Sequence, residues 1–238
     1  MIVPYDHLLS LFEINQDAEV FFEGDVIYID NFYKNYDEIY EVLTNMPVPR
    51  WKWMKGPSEN FVKYYDCRPV IKNNHVGPTW MGGMKWITSL IEQFYGSQPD
   101  IILSHPDYEF NYFKYIDSVP DNKEIQFHPH HDTPFASIIY LDKVCSGGTA
   151  IYDIDDSKSL VNKEGENLLK DVSQWEKKII EAKPNRHIIF RGTNPHGGFI
   201  EDHNKYLNDW RINQVMFYEL EGYNHLDGFD VSSLRDEM

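Results

Sequence analysis

Cysteine is nearly missing. Two residues in 238, Cys67 and Cys145, cannot build a disulfide framework. Long apolar runs are missing too, because charged residues interrupt every hydrophobic stretch before it reaches membrane-spanning length. Positive charge is scarce: 22 Lys and Arg stand against 38 Asp and Glu, a formal net charge of −16. Such a surface repels polyanions and offers no counterion-release term, so nucleic acid is disfavoured as a partner, and no membrane partner is expected. The start MIVPYDHLLS has neither a basic leader nor an apolar signal core, and with so few cysteines a reducing cytoplasm is the expected location. No internal repeat, low-complexity tract or Gly/Ser linker marks a boundary, so residues 1–238 are expected to form a single domain.

What is present is a core-forming composition, 42% hydrophobic and 15% aromatic. A chain of this length buries roughly 70% of its unfolded surface on folding. From Val20 to Asp30, VFFEGDVIYID has the aromatic and β-branched content of strand, with a turn at Glu23-Gly24-Asp25. Two helical stripes follow, Tyr36, Ile39, Tyr40, Leu43 and Met46, then Met84, Ile87, Leu90, Ile91 and Phe94. Both are expected to pack on a core. From about residue 100 the pattern becomes short strand-like runs, EFNYFKYI, FASIIYL, TAIYDI, HIIFRG and RINQVMFYE. They predict a mainly β fold with flanking helices, an antiparallel sandwich or barrel. A polar stretch over 157–178, with Leu168, Leu169, Val172 and Trp175 at helical spacing, interrupts the pattern as an inserted excursion. Trp51, Trp53, Trp80, Trp175 and Trp210 lie outside the strand cores and are candidate pocket walls, with ordinary packing as the commoner role of such residues.

Ten histidines are present, and His128, His130 and His131 fall within four residues, followed by Asp132. Neutral imidazole with carboxylate suits non-haem iron and related divalent ions. On a strand, residues i and i+2 face the same way, so His130 and Asp132 can reach one ion while His131 points away. Parity also admits His128, although Pro129 disfavours a regular strand through it. The HxD pattern alone decides little, because it occurs three times, at His105, His130 and His225. His225 has thirteen residues after it and no later histidine, and Pro106 suggests that His105 sits in a turn. A two-histidine, one-carboxylate site needs a third ligand from a strand distant in sequence. His196, in Asn194-Pro195-His196-Gly197-Gly198, is the candidate, with His187 in an apolar strand and His203 in a charged loop as competitors. Fifteen residues beyond His196, Arg211 opens RINQVMFYE. A guanidinium suits bidentate capture of a carboxylate held beside a metal.

These pieces, FKYI, PHHD, IIYLD with SGGTAIYD, KPNRHIIFRGTNPHGG and DWRINQVMFY, occur in an order that resembles the Fe(II)- and 2-oxoglutarate-dependent dioxygenases, above all their prolyl-4-hydroxylase-like branch. The resemblance covers Tyr112 to Tyr218, and the opening VIYIDNFYKNYDEIY is similar to the start of phage-borne members. It implies a double-stranded β-helix, a cupin-like jelly roll, over 100–220, with 1–99 as supporting strands and helices. It implies iron on His130, Asp132 and His196, the far carboxylate of 2-oxoglutarate on Arg211, and assistance from Tyr140, Tyr115 and Thr149. It also implies O2-dependent oxidative decarboxylation to succinate and CO2, coupled to hydroxylation of an unactivated C–H bond on a peptidyl side chain or small metabolite. A carboxylate at Asp132 favours hydroxylation, since related halogenases carry a small residue there. A cupin-type roll that binds a ligand without turnover, or uses another metal, is the alternative.

Overall fold

Short runs of Val, Ile, Phe and Tyr bounded by Gly, Pro, Asn and Asp are what a strand buried on both faces requires. The clearest is β5 (Phe135–Tyr140, FASIIY), in which every residue is buried. The computed structural model describes residues 10–45, 62–67, 78–115, 119, 130–153 and 176–220, with 62–67, 78–82 and 100–113 described by backbone alone. The other strands are β1 (Glu19–Glu23), β2 (Val26–Asp30), β3 (Val62–Cys67), β4 (Asp100–Tyr115), β6 (Gly148–Tyr152), β7 (Lys177–Glu181), β8 (Arg186–Arg191), β9 (His196–Phe199) and β10 (Arg211–Glu219). The helices α1 (Tyr36–Asn45) and α2 (Pro78–Tyr95) precede β4.

The described strands form two antiparallel sheets. The larger runs β1-β2-β8-β5-β10-β4-β3 and the smaller β7-β6-β9. An isolated bridge between His130 and His196 adds one residue beside β9, at the free edge of the smaller sheet. From β4 onward the chain passes between sheets in the order β4, His130, β5, β6 and β7, β8, β9, β10. That alternation is a double-stranded β-helix, a mainly β jelly roll with flanking helices, and the sheets do not close into a barrel.

Residue parity divides the larger sheet between two cores. On one face Ile27, Ile29, Phe135, Ile139, Ile189, Ile212 and Met216 pack against Ile39 and Leu43 of α1 and Met84, Ile87 and Ile91 of α2. On the other, Val26, Tyr28, Ala136, Ile138, Tyr140, Ile188 and Phe190 meet Ile180 of β7. The helical stripes are core, as their spacing predicts, while Met46 lies outside the described residues. The β1–β2 turn has positive φ at both central residues, 54° at Gly24 and 64° at Asp25, the requirement of a type I′ hairpin.

Three local expectations change. The turn expected at Pro106 is strand, because β4 continues through His105-Pro106-Asp107 while its register with β10 shifts between Val215 and Phe217. Prolines within sheets concentrate at such irregularities. The excursion ends earlier than position 178, since Lys177 and Lys178 open β7; positions 154–175, Trp175 among them, lie outside the described residues. Trp210 packs against the helix-side core with Lys114 Nζ 5.4 Å from its ring, so it lines no inter-sheet pocket. Trp51 and Trp53 lie outside the described residues, and Trp80 is placed in α2 by backbone alone.

The smaller sheet depends on a tight start to β6. A Cβ on Gly148 would stand 1.9 Å from the Ile180 carbonyl oxygen, and one on Gly147 2.3 Å from that of Phe199. Gly148→Ala is expected to cost at least about 2 kcal/mol, because backbone rather than a flexible side chain must move. Urea unfolding should show the midpoint fall at unchanged slope.

Candidate metal centre

The centre starts from a backbone constraint. His130 and His196 exchange both bridge hydrogen bonds, His130 N–H to the His196 carbonyl at 2.9 Å and His196 N–H to the His130 carbonyl at 3.0 Å. Directly opposed residues project to the same side of a sheet, and the two imidazoles lie 4.6 Å apart between centroids. Two residues on, the Asp132 N–H donates to the Gly192 carbonyl at 2.8 Å, which holds its carboxylate beneath the same two rings. Gly192 permits this approach, since a Cβ there would stand 2.2 Å from the Thr133 carbonyl oxygen.

The ligand atoms of His130, Asp132 and His196 all lie within 4.8 Å of one another. Asp132 Oδ2 is 3.0 Å from His196 Nε2 and 3.6 Å from His130 Nε2. Bonds of about 2.1 Å at right angles would place neighbouring ligand atoms about 3 Å apart. His196 Nδ1 donates to the Asn194 carbonyl at 2.8 Å, which fixes the tautomer and leaves the Nε2 lone pair facing Asp132. Two acceptors, lone pair and carboxylate, then face each other unless a second proton or a cation stands between them. A divalent cation answers that donor set, so the residues fit the iron that the sequence resemblance implies. Burial pushes the Asp132 carboxyl up, but with the His130 and His196 imidazoles protonated toward it their hydrogen bonds outweigh burial and hold the group well below the usual carboxylate range, the second-proton alternative to a cation.

The other candidates lie elsewhere. His131 turns away and its Nδ1 meets the Thr193 carbonyl at 2.7 Å, as strand parity requires. His187 is on the helix-covered face, its ring 4.3 Å from that of Phe32, with no partner for either nitrogen among the described residues. Burial brings its imidazole down to about 3, so it stays neutral. His203 lies in the short 3-10 helix His203–Leu207, where Nδ1 pairs with the Tyr115 hydroxyl. His105 is on β4 opposite Phe217, and His128 and His225 lie outside the described residues.

A second group of polar residues occupies the same inter-sheet space. Asn213 pairs with Tyr140 across β10 and β5, and Arg211, two residues earlier, shares their face. All three are buried. On the smaller sheet Thr149 is two residues from Ile151, which lies opposite His196, so Thr149 and His196 face inward together. The Tyr140 hydroxyl and Thr149 Oγ1 are hydrogen-bonded at 2.7 Å, and Arg211 Nη2 donates to the Gly148 carbonyl at 3.4 Å. Burial is the main reason the Tyr140 phenol is pushed far up and stays a neutral donor and acceptor. Tyr115 packs with Ile200 and Tyr206, its hydroxyl engaged by His203. The sequence reading missed Asn213, whose Oδ1 is buried without a partner among the described residues, although i+2 parity with Arg211 would have found it. It also missed Asp142 and Tyr206, hydrogen-bonded at 2.9 Å, which only the tertiary structure brings together.

No protein-family model and no curated protein matches the chain. Among solved structures it is similar to a 2OG-Fe(II) oxygenase family oxidoreductase from Burkholderia pseudomallei, at 12% identity and a TM-score of 0.44, covering 82% of this chain and 84% of that one. HygX from Streptomyces hygroscopicus, with nickel and 2-oxoglutarate bound, gives 10% and 0.47, with 94% and 89% covered. A Pseudomonas putida prolyl-4-hydroxylase gives 10% and 0.39, with 90% and 100% covered. Likeness at this level leaves the chemistry to be argued from the side chains themselves.

Metal binding to the folded state should stabilise it. At Fe(II) or Mn(II) 100-fold above its dissociation constant, wild-type protein is expected to gain about 2.7 kcal/mol. Anaerobic thermal unfolding reads this as a raised Tm, and Asp132→Ala should show no metal-dependent rise over the same range.

Proposed function

We propose that this protein is an Fe(II)- and 2-oxoglutarate-dependent dioxygenase that hydroxylates an unactivated C–H bond of a peptidyl side chain or small metabolite. The observation that carries this reading is the shared inter-sheet space, in which two histidines and a carboxylate converge and a buried arginine faces inward from the facing sheet. His130, Asp132 and His196 are the proposed metal ligands. Iron bound there would, with O2 and 2-oxoglutarate, supply the oxidising power for decarboxylation to succinate and CO2 and for hydroxylation.

The chain's own residues have separable tasks. Three ligands on one side of an ion leave room for cosubstrate on the other. Arg211 grips the far carboxylate with parallel donors, which fixes the orientation of the keto acid. Tyr140 and Thr149, already bonded to each other, offer neutral hydroxyl contacts to the same molecule. Tyr115 would join them with its hydroxyl already engaged by His203. Phe190, edge-on to His196 at 4.7 Å, walls the buried side and excludes water, while His130, with a side chain 56% exposed, marks the side open to substrate. A binding-only cupin-type roll would have no use for a buried guanidinium opposite the metal ligands. The scarcity of cysteine fits a reducing cytoplasm, where Fe(II) persists.

The test is anaerobic addition of Fe(II) and 2-oxoglutarate, watched for a metal-to-ligand charge-transfer band, followed by O2-dependent succinate release. Wild type should show both. His130→Ala should lose the band, and Arg211→Ala should raise the 2-oxoglutarate requirement about 100-fold, as expected for loss of one charge-assisted clamp. Absence of the band in wild type, or succinate release unchanged in both variants, contradicts the assignment.

A further inference from the structure

The pairing of β5 with β10 continues one step past its last ladder position. Asn213 stands opposite Tyr140, and the Leu141 N–H donates to the Ile212 carbonyl at 2.8 Å. The next opposed pair is therefore Arg211 and Asp142. Asp142 is 1% exposed and feels the Arg211 guanidinium directly. Its two carboxyl oxygens are treated differently. Oδ2 accepts from the Tyr206 hydroxyl at 2.9 Å, and that hydroxyl in turn accepts from the Ser146 N–H at 2.9 Å. Oδ1 is buried and has no partner among the described residues.

A buried oxygen without a partner, opposite the arginine assigned to a ligand carboxylate, is incomplete in a specific way. If Asp142 is ionised it competes with the ligand for Arg211 and repels the incoming carboxylate. If it is protonated on Oδ1, it carries a donor that lacks an acceptor, and a ligand carboxylate is that acceptor. We propose that Asp142 completes the carboxylate clamp: the free site takes up one proton from solvent as a dicarboxylic keto acid enters, and Asp142 Oδ1–H donates to the carboxylate held by Arg211. This rests on the dioxygenase reading above. It makes Asp142 a specificity residue that selects keto acids with a second carboxylate.

The surroundings permit it. The groups facing Asp142 are Tyr36 and Tyr40 of α1, Tyr140 of β5, Cys145 after β5, Tyr206 of the 3-10 helix and Arg211 of β10. Lys205 reaches the Cys145 carbonyl, at 3.4 Å, and Lys143 is engaged by Asp37 at 2.9 Å. Burial raises the tyrosines and the Cys145 thiol, so they stay neutral well above neutrality. Burial also raises the Asp142 carboxyl, with Arg211 and Tyr206 opposing it. Within this cluster Asp142 is the group whose charge responds to ligand.

The experiment is calorimetric titration of the anaerobic Mn(II)-loaded protein with 2-oxoglutarate, in buffers of different ionisation enthalpy, from about pH 6 to about pH 9. Wild type should take up one proton on the alkaline side, with affinity falling about tenfold per pH unit there. Asp142→Asn, which keeps a donor at this position, should bind with no proton uptake and no such slope. Tyr206→Phe removes the donor to Oδ2 and should move the onset of the slope to higher pH. 2-Oxopentanoate, the same chain without the far carboxylate, should show no uptake with any of these proteins. A wild-type affinity that is flat with pH, or a slope that survives in Asp142→Asn, overturns the proposal. Failure of wild type to bind 2-oxoglutarate at any pH overturns the dioxygenase reading and this proposal with it.

Discussion

The arrangement depends on two hydrogen bonds at the edge of the smaller sheet. By exchanging N–H and C=O, His130 and His196 bring positions 66 residues apart into direct opposition, and both rings then project to one side. The rest is local. Asp132 follows two residues on, held by its N–H to the Gly192 carbonyl, Gly192 lets the segment approach, and the Asn194 carbonyl sets the His196 tautomer. Removing one ring would leave the others in place. Breaking the bridge would separate all three.

The second constraint is electrostatic. Three acceptor atoms crowded into one corner are unfavourable in a partly buried site unless a cation or protons join them. A few strand positions away Arg211 and Asp142 put opposite charges face to face in a buried setting. On the proposals above, the roll presents an acceptor-rich end suited to a metal and, on the facing sheet, a clamp whose charge is adjustable. A keto acid with two carboxylates has the complementary polarity, one end for each. The bulk charge of −16 says little about this pocket, where local partners set the field.

Much of this was legible in the sequence, because ligand chemistry is carried by residue type and order. The HxD at His130, the histidine at 196 and the arginine at 211 stand in an order that this roll brings together, and the unbroken apolar runs of β5 and β8 advertise strands covered on both faces. Position 187 was also legible, since a histidine inside HIIF is far more at home in a core. Long-range register was not. Nothing local says that Asp142 opposes Arg211, because that follows from where two strands separated by seventy residues settle on each other. Pro106 misled for a related reason, a register shift in the partner strand that lets a proline sit within β4. Trp210 misled because a residue just before a strand can turn toward either face.

The central claim is that His130, Asp132 and His196 hold one metal ion. It is tested most directly by anomalous diffraction at the manganese edge, from crystals grown with Mn(II). The account predicts one strong peak within about 2.3 Å of His130 Nε2, one Asp132 carboxylate oxygen and His196 Nε2, without change in the His130–His196 bridge. A peak held by other residues, or three ligand atoms that stay in mutual contact with no ion among them, would contradict it.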